Sequence, residues 1–376
     1  MPMLIALRSD LKRKEGMICN MTYLSKKAIG LTPYVAGIQP QEPGWVKLNT
    51  NENPYPPSPK VAEILADADL ARLRLYPNSD SEALCITLAE YWNVPASNVF
   101  VGNGSDEVLA FAFGAFYDSK DGVMMPDISY GFYPVWAELF DVGVKICPID
   151  ESFNITPADY RDAAGVVIAN PNAPTGIALT LQEIEKIVQQ NPQGVVLVDE
   201  AYLDFSTEES AITLTEKYEN LLVVRTFSKS HSLAGLRVGY AVGHEYLIDG
   251  LQRMKHSFNS YPLDMLAQLC AAASIKDTDY WNETRAQIIE TREHTSKALQ
   301  ELGYYVLPSH TNFLLMQTID AKELYEYLLQ HKILVRYWNK PRICDFLRVT
   351  IGTEKEMEAF LTCIRQYSLE QQKKQT

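Results

Sequence analysis

Four short apolar runs constrain this chain more than any other feature. Gly165-Val166-Val167-Ile168-Ala169, Gly194-Val195-Val196-Leu197-Val198, Leu221-Leu222-Val223-Val224-Arg225 and Leu236-Arg237-Val238-Gly239-Tyr240 are rich in β-branched residues. A run without alternating polar positions has no face to show to water, so it fits a strand covered on both sides. Between the first two runs lies a helical segment, Thr180 to Gln190. Buried strands separated by helices predict an α/β architecture with a largely parallel sheet and helices on both faces.

The pattern changes after about residue 275. A long charged helix from Asp279 to Leu302 precedes the apolar runs Tyr304-Tyr305-Val306-Leu307 and Thr311-Asn312-Phe313-Leu314-Leu315. A helix from Ala321 to His331, strands at Ile333–Arg336 and Phe346–Ile351, and a helix from Glu354 complete a smaller α+β unit. At the other end, residues 1 to about 20 carry the charge run Asp10-Leu11-Lys12-Arg13-Lys14-Glu15, a solvated extension. From Leu31 to Pro59 the chain is rich in proline and reads as an extended arm. The expected division is an extension at 1–21, an arm at 22–60, a large domain at 61–274 and a small domain at 275–376.

Composition excludes several function classes. With 47% hydrophobic and 22% charged residues, the chain can bury a substantial core and is not a disordered polymer. It holds 34 Lys and Arg against 47 Asp and Glu, a formal charge of −13, which repels nucleic acid and anionic lipid. The apolar stretch Met265 to Ile275 is far below the roughly 18 residues of a membrane span, so a cytoplasmic location is expected. The six cysteines include no C-x-x-C pair and read as reduced thiols. The six histidines lack metal-ligand spacing, and no metal is expected.

The polar residues that follow the buried runs carry the chemistry. Ligands of parallel α/β sheets sit beyond the carboxyl ends of the strands. The first run leads into Asn170-Pro171-Asn172-Ala173-Pro174-Thr175-Gly176, the second into Asp199-Glu200-Ala201-Tyr202, and the third into Thr226-Phe227-Ser228-Lys229. Arg237 follows eight residues after that lysine. Alone, Lys229 reads as a surface charge, Asp199 as a helix cap and Tyr202 as a packing residue. Together at one sheet edge they suit a carbonyl cofactor: a lysine amine condenses with an aldehyde, and a pyridine ring needs an acid beside it to stay protonated.

These motifs, with Ser230-His231-Ser232-Leu233-Ala234-Gly235-Leu236 between the lysine and Arg237, resemble the pyridoxal-phosphate aminotransferases of fold type I. Leu31-Thr32-Pro33-Tyr34-Val35-Ala36-Gly37, Asn51-Glu52-Asn53-Pro54-Tyr55, Gly102-Asn103-Gly104-Ser105-Asp106-Glu107 and Leu347-Arg348-Val349-Thr350-Ile351-Gly352-Thr353 resemble the histidinol-phosphate aminotransferase family within that group. The resemblance covers about residues 22 to 370. It implies a large domain around a mostly parallel, seven-stranded type of sheet, a smaller α+β domain, and pyridoxal 5′-phosphate as cofactor. Ala173 departs from the family's turn, where many relatives carry a second Asn; Asn172 is kept.

The roles implied by the resemblance attach to particular residues. Lys229 would hold the cofactor aldehyde and shuttle the substrate's Cα proton. Asp199 would pair with the ring nitrogen, while Asn172 and Tyr202 would bond the phenolic oxygen. Tyr130 would stack on the ring. Gly104, Ser105 and Asp106, opening the apolar helix Glu107 to Phe116, would bind the phosphate with Thr226, Ser228 and Arg237. Tyr55 would reach the phosphate across a subunit boundary, making the protein a homodimer with a shared site. Arg336 and Arg348 would clamp the substrate's anionic end, with Tyr34 adding a hydroxyl. The resemblance implies transfer of an amino group between L-histidinol phosphate and 2-oxoglutarate. An aromatic amino-acid aminotransferase and a threonine-phosphate decarboxylase would use the same frame. A non-enzymatic regulator is disfavoured, because some 20 extra N-terminal residues are too few for a DNA-binding module.

Overall fold

The computed structural model describes residues 23–118 and 122–375. By its internal contacts the chain divides into two units, Met1–Tyr34 and Val35–Thr376. In the first, the described residues form one short helix, Lys26–Gly30, whose start is fixed by Ser25 accepting the Ala28 N–H at 3.1 Å. The expected N-terminal extension, 1–21, lies outside the described residues.

The second unit is built on a seven-stranded sheet. Its strands are β1 (Val99–Gly102), β2 (Val123–Pro126), β3 (Val144–Cys147), β4 (Gly165–Ala169), β5 (Val195–Asp199), β6 (Leu221–Thr226) and β7 (Gly239–Gly243). Their order is β1-β7-β6-β5-β4-β2-β3. The run β6-β5-β4-β2-β3 is parallel, whereas β7 is antiparallel to both its neighbours. Alternate side chains enter opposite cores, as the two-residue period of a strand requires. Val166, Ile168, Val196, Val198 and Val223 face one core, and Val167, Leu197, Leu222 and Val224 face the other. Every residue of β4 and β6 is buried, which explains why their sequences show no polar alternation. The helix Leu181–Gln190 starts where the pattern placed it, with Thr180 and Glu183 closing a capping box.

One strand expectation is corrected. Leu236 to Tyr240 is not a strand throughout: Ala234–Leu236 is a 3-10 turn, Arg237 takes φ 54°, and β7 begins only at Gly239. At Gly239 a Cβ would fall 2.2 Å from the Ser105 backbone nitrogen. The chain passes so close to the start of the helix Ser105–Phe116 that only glycine fits, and Arg237 is turned out of the ladder beside that helix.

A second sheet contains β8 (Tyr305–Val306), β9 (Phe313–Gln317), β10 (Arg336–Tyr337) and β11 (Phe346–Thr350), in the antiparallel order β10-β11-β9-β8. Its apolar face packs on Ile288 and Leu299 of the helix Thr278–Glu301 and on Phe360, Leu361 and Ile364 of the helix Glu354–Gln375. The strand expected over Ile333–Arg336 divides at Val335. Ile333–Leu334 pairs with Val46–Lys47 of the proline-rich arm, and Arg336–Tyr337 joins the four-stranded sheet. No helix among the described residues is long and apolar enough to cross a membrane. Cys85, Cys147, Cys270, Cys344 and Cys363 are free thiols.

Candidate active site

The site grows from the carboxyl ends of the parallel strands. Asp199 is the last residue of β5, opposite Ala169 of β4 and Val224 of β6 in register. Its side chain is buried, and burial pushes its pKa up to about 6, helped by the negative charges of Asp106 and Glu200. Two donors oppose that rise: the Tyr133 hydroxyl at 2.9 Å and the Ala201 N–H at 3.1 Å. Asn172 lies in the turn after β4, buried, with its Nδ2 donating to the Ile128 carbonyl at 2.9 Å and its Oδ1 accepting from Ser129 at 2.8 Å.

A contact chain leads from Asp199 to the start of the helix Ser105–Phe116. Tyr133 packs edge-on against Tyr130, whose hydroxyl donates to Asp106 at 2.8 Å. Asp106 takes an ion pair from Arg237 at 3.0 Å, and Arg237 donates to Ser228 at 3.3 Å. Thr226 joins the same corner by accepting the Ser228 N–H at 3.1 Å. Gly104 caps the helix at φ 84° without a side-chain bond, and a Cβ there would meet Arg237 Nη2 at 2.6 Å. Backbone N–H groups, a hydroxyl pair and a guanidinium thus converge where an anion is stabilised.

Lys229 closes the ring. Its Nζ donates to the Thr50 carbonyl at 3.3 Å and stands 5.5 Å from the centre of the Tyr202 ring. Tyr202 packs edge-on against Phe313, and its hydroxyl accepts from Asn51 Nδ2 at 2.9 Å. Asn53 Nδ2 holds the carbonyls of both Lys229 and Ser230 at 3.1 Å. Beneath this loop, Arg225 pairs with Glu200 at 2.7 Å and with Asp204, which also binds Ser230. Glu200 and Arg225 are buried and Asp204 is partly buried, and Arg225 holds the Asp204 carboxyl below its ordinary value.

Arg336 and Arg348 are directly opposite each other across β10 and β11. Their guanidinium carbons lie 5.5 and 5.2 Å from the centre of the Trp338 ring, and Arg348 also faces Phe313 at 5.2 Å. Carbonyl oxygens orient both: Val35 accepts from Arg336 at 3.2 Å and Asn49 from Arg348 at 2.8 Å. Tyr55 is placed differently, packed against the core of the four-stranded sheet, with Glu354 and Glu356 raising its pKa after burial. Tyr34 belongs to the other unit. Sequence reasoning gave no role to Thr50, Asn51, Asn53 or Tyr133.

The family model for aminotransferases of class I and II matches residues 43–364. A histidinol-phosphate aminotransferase from Brachyspira hyodysenteriae is 46% identical over 92% of this chain and 98% of its own. Histidinol-phosphate aminotransferase 1 of Hydrogenovibrio crunogenus is 50% identical over 89% of this chain and 94% of its own. This chain belongs to the histidinol-phosphate aminotransferase family. The fold agrees: the Sinorhizobium meliloti enzyme, solved with pyridoxal 5′-phosphate, superposes with a TM-score of 0.81 at 19% identity, covering 93% of this chain and 98% of the other.

Aminotransferases of this family work with pyridoxal 5′-phosphate, and the residues of this one fit that group. The buried carboxylate of Asp199 suits a protonated ring nitrogen. The uncapped helix start beside Arg237 suits a phosphate, and Lys229 supplies the amine.

Proposed function

We infer that this aminotransferase moves an amino group between L-histidinol phosphate and 2-oxoglutarate, giving 3-(imidazol-4-yl)-2-oxopropyl phosphate and L-glutamate, a step of histidine biosynthesis. The observation that carries the substrate assignment is the cross-strand pair Arg336 and Arg348. Like charges directly opposite one another weaken a bare sheet. A phosphate dianion between them turns that repulsion into two charge-assisted contacts. In a chain of charge −13, the pair also supplies the local positive potential that draws such a donor in.

When bound, pyridoxal phosphate supplies an aldehyde that links to amines and a protonated ring that takes up the electron pair released at the substrate's Cα. Lys229 would hold the cofactor through its Nζ, and as a free amine that Nζ would be the base that takes the proton from the substrate's Cα and the acid that returns it. Asp199 keeps a proton on the ring nitrogen, its charge undiluted by water because the carboxylate is buried. Asn172 and Tyr202 would hydrogen-bond the phenolic oxygen, and Tyr130 would cover the ring. Gly104, Ser105, Asp106, Thr226, Ser228 and Arg237 hold the phosphate end. Arg336 and Arg348 would orient first the donor's phosphate and then a carboxylate of 2-oxoglutarate. One site serves both halves, which makes the kinetics ping-pong.

We further propose a cytoplasmic homodimer in which Tyr55 reaches the phosphate of the partner's site, with domains at 61–274 and 275–376 following an arm at 22–60. The substrate reading is tested with Arg348→Leu. KM for histidinol phosphate should rise about 10- to 100-fold, the worth of one hydrogen bond to a charged group. An unchanged KM would remove Arg348 from the clamp.

A further inference from the structure

The segment Asn49–Asn53 reaches three residues of the site, Arg348, Lys229 and Tyr202, through different groups. The Asn49 carbonyl accepts from Arg348, the Thr50 carbonyl from Lys229, and Asn53 holds the Lys229 backbone, while Asn51 reaches Tyr202. Asn51 is only 1% exposed. Its backbone N–H donates to Thr350 Oγ1 at 3.0 Å, the Thr350 hydroxyl donates back to Asn51 Oδ1 at 3.0 Å, and its carbonyl accepts from Asn312 Nδ2 at 3.0 Å. Its φ of 57° is a left-handed conformation that Asn and Asp tolerate best after glycine.

This bonding sets the direction of the amide. Thr350 Oγ1 accepts from the Asn51 backbone and delivers its own proton to Oδ1, so the NH2 group is the one that faces Tyr202, at 2.9 Å. An amide N–H only donates, and the phenol oxygen must therefore accept from it. The Tyr202 proton is left to point elsewhere. Accepting a bond also polarises the hydroxyl and strengthens it as a donor.

We propose that Asn51 is a positioning residue of the transamination: by donating to the Tyr202 oxygen it aims that hydroxyl's proton at the phenolic oxygen of the cofactor. Through Thr350 it ties this aim to β11, the strand that carries Arg348 two residues earlier. The inference rests on the reading that Tyr202 donates to the phenolic oxygen. Asn51 itself touches neither substrate nor cofactor in this role.

The readout is the pH midpoint of the visible absorption change of purified holoenzyme. A donor on the phenolic oxygen stabilises its negative charge; without it, the neighbouring lysine-linked nitrogen keeps its proton to higher pH. Asn51→Asp keeps the side chain's size and its tolerance of the left-handed backbone but offers an acceptor, so Tyr202 turns its proton inward. The midpoint should rise by about one unit, the worth of one charge-assisted hydrogen bond. Tyr202→Phe should produce a rise of similar size, and the double variant should rise no further than Tyr202→Phe alone. Thr350→Val, which releases the amide, should shift the midpoint in the same direction, while Thr350→Ser keeps the native value. The Thr350 pair decides the matter if Asn51→Asp does not fold. An unmoved midpoint in folded Asn51→Asp or Thr350→Val, with Tyr202→Phe shifted, overturns the inference alone. An additive shift in the double variant overturns it too, since the effect would then bypass Tyr202. No shift in Tyr202→Phe overturns the reading of Tyr202 and the inference with it.

Discussion

Asp199→Asn should stabilise the cofactor-free protein at neutral pH while damaging turnover. The carboxylate is 5% exposed, and burial moves its pKa from an ordinary 3.8 to about 6. Because the folded-state pKa is the higher one, the folded protein binds more protons than the unfolded chain between these values. Stability from this group is therefore fullest below about pH 4 and is lost as the pH rises through 6. A shift of about two units corresponds to about 3 kcal/mol. Asn carries no such penalty, yet satisfies the same neighbours: its Oδ1 keeps the Ala201 N–H, and its Nδ2 donates to a rotated Tyr133 hydroxyl. Urea unfolding of cofactor-free wild type and variant at several pH values provides the assay, since groups titrating equally in both cancel in the difference. The stability difference, variant minus wild type, should grow by about 2 kcal/mol between pH 4 and pH 7. Turnover should fall on the order of 10²- to 10⁴-fold as the ring nitrogen loses its acidic partner. A difference that stays flat with pH would refute the claim that burial governs this carboxyl.

Other predictions concern the lysine, the shared site and the buried charges. Lys229→Ala should fold normally but carry no cofactor that borohydride can fix to the chain, and turnover should drop by at least about 10²-fold; undiminished turnover would remove Lys229 from the chemistry. Tyr55→Phe should raise the cofactor's dissociation constant about tenfold, measured by spectral titration, and an unchanged value would count against a tyrosine reaching the partner's phosphate. Arg225→Leu leaves the buried Glu200 and the partly buried Asp204 without their counter-charge and should cost about 3–5 kcal/mol in urea unfolding. A loss below about 1 kcal/mol would mean the two acids find another partner.

The parts of this molecule that were legible in its sequence are those set by local physics. β4, β5 and β6 announce themselves because both faces of each are apolar; Asp199 ends β5, and the turns after the three strands hold Asn172, Tyr202 and Lys229. β2, with Met124 and Met125, and β3, largely exposed at the sheet's edge, carry weaker signals and were not anticipated. Arg237 donates to Ser228, and the strand expected to carry it starts two residues later. The Asn51–Thr350 contact joins positions 299 residues apart; both lie in motifs that resemble the family, but neither motif shows that the two meet. Tyr133 likewise reads as one aromatic among many until the chain brings it to Asp199. Long-range polar contacts of this kind depend on the whole fold and leave no periodicity behind.

The central claim is most directly tested by the half-reaction of purified holoenzyme with L-histidinol phosphate, followed through loss of the bound cofactor's visible band, with L-phenylalanine and L-threonine phosphate run alongside. The account predicts fast conversion with histidinol phosphate and slow conversion with the other two. A faster response to phenylalanine, or carbon dioxide released from threonine phosphate, would contradict it.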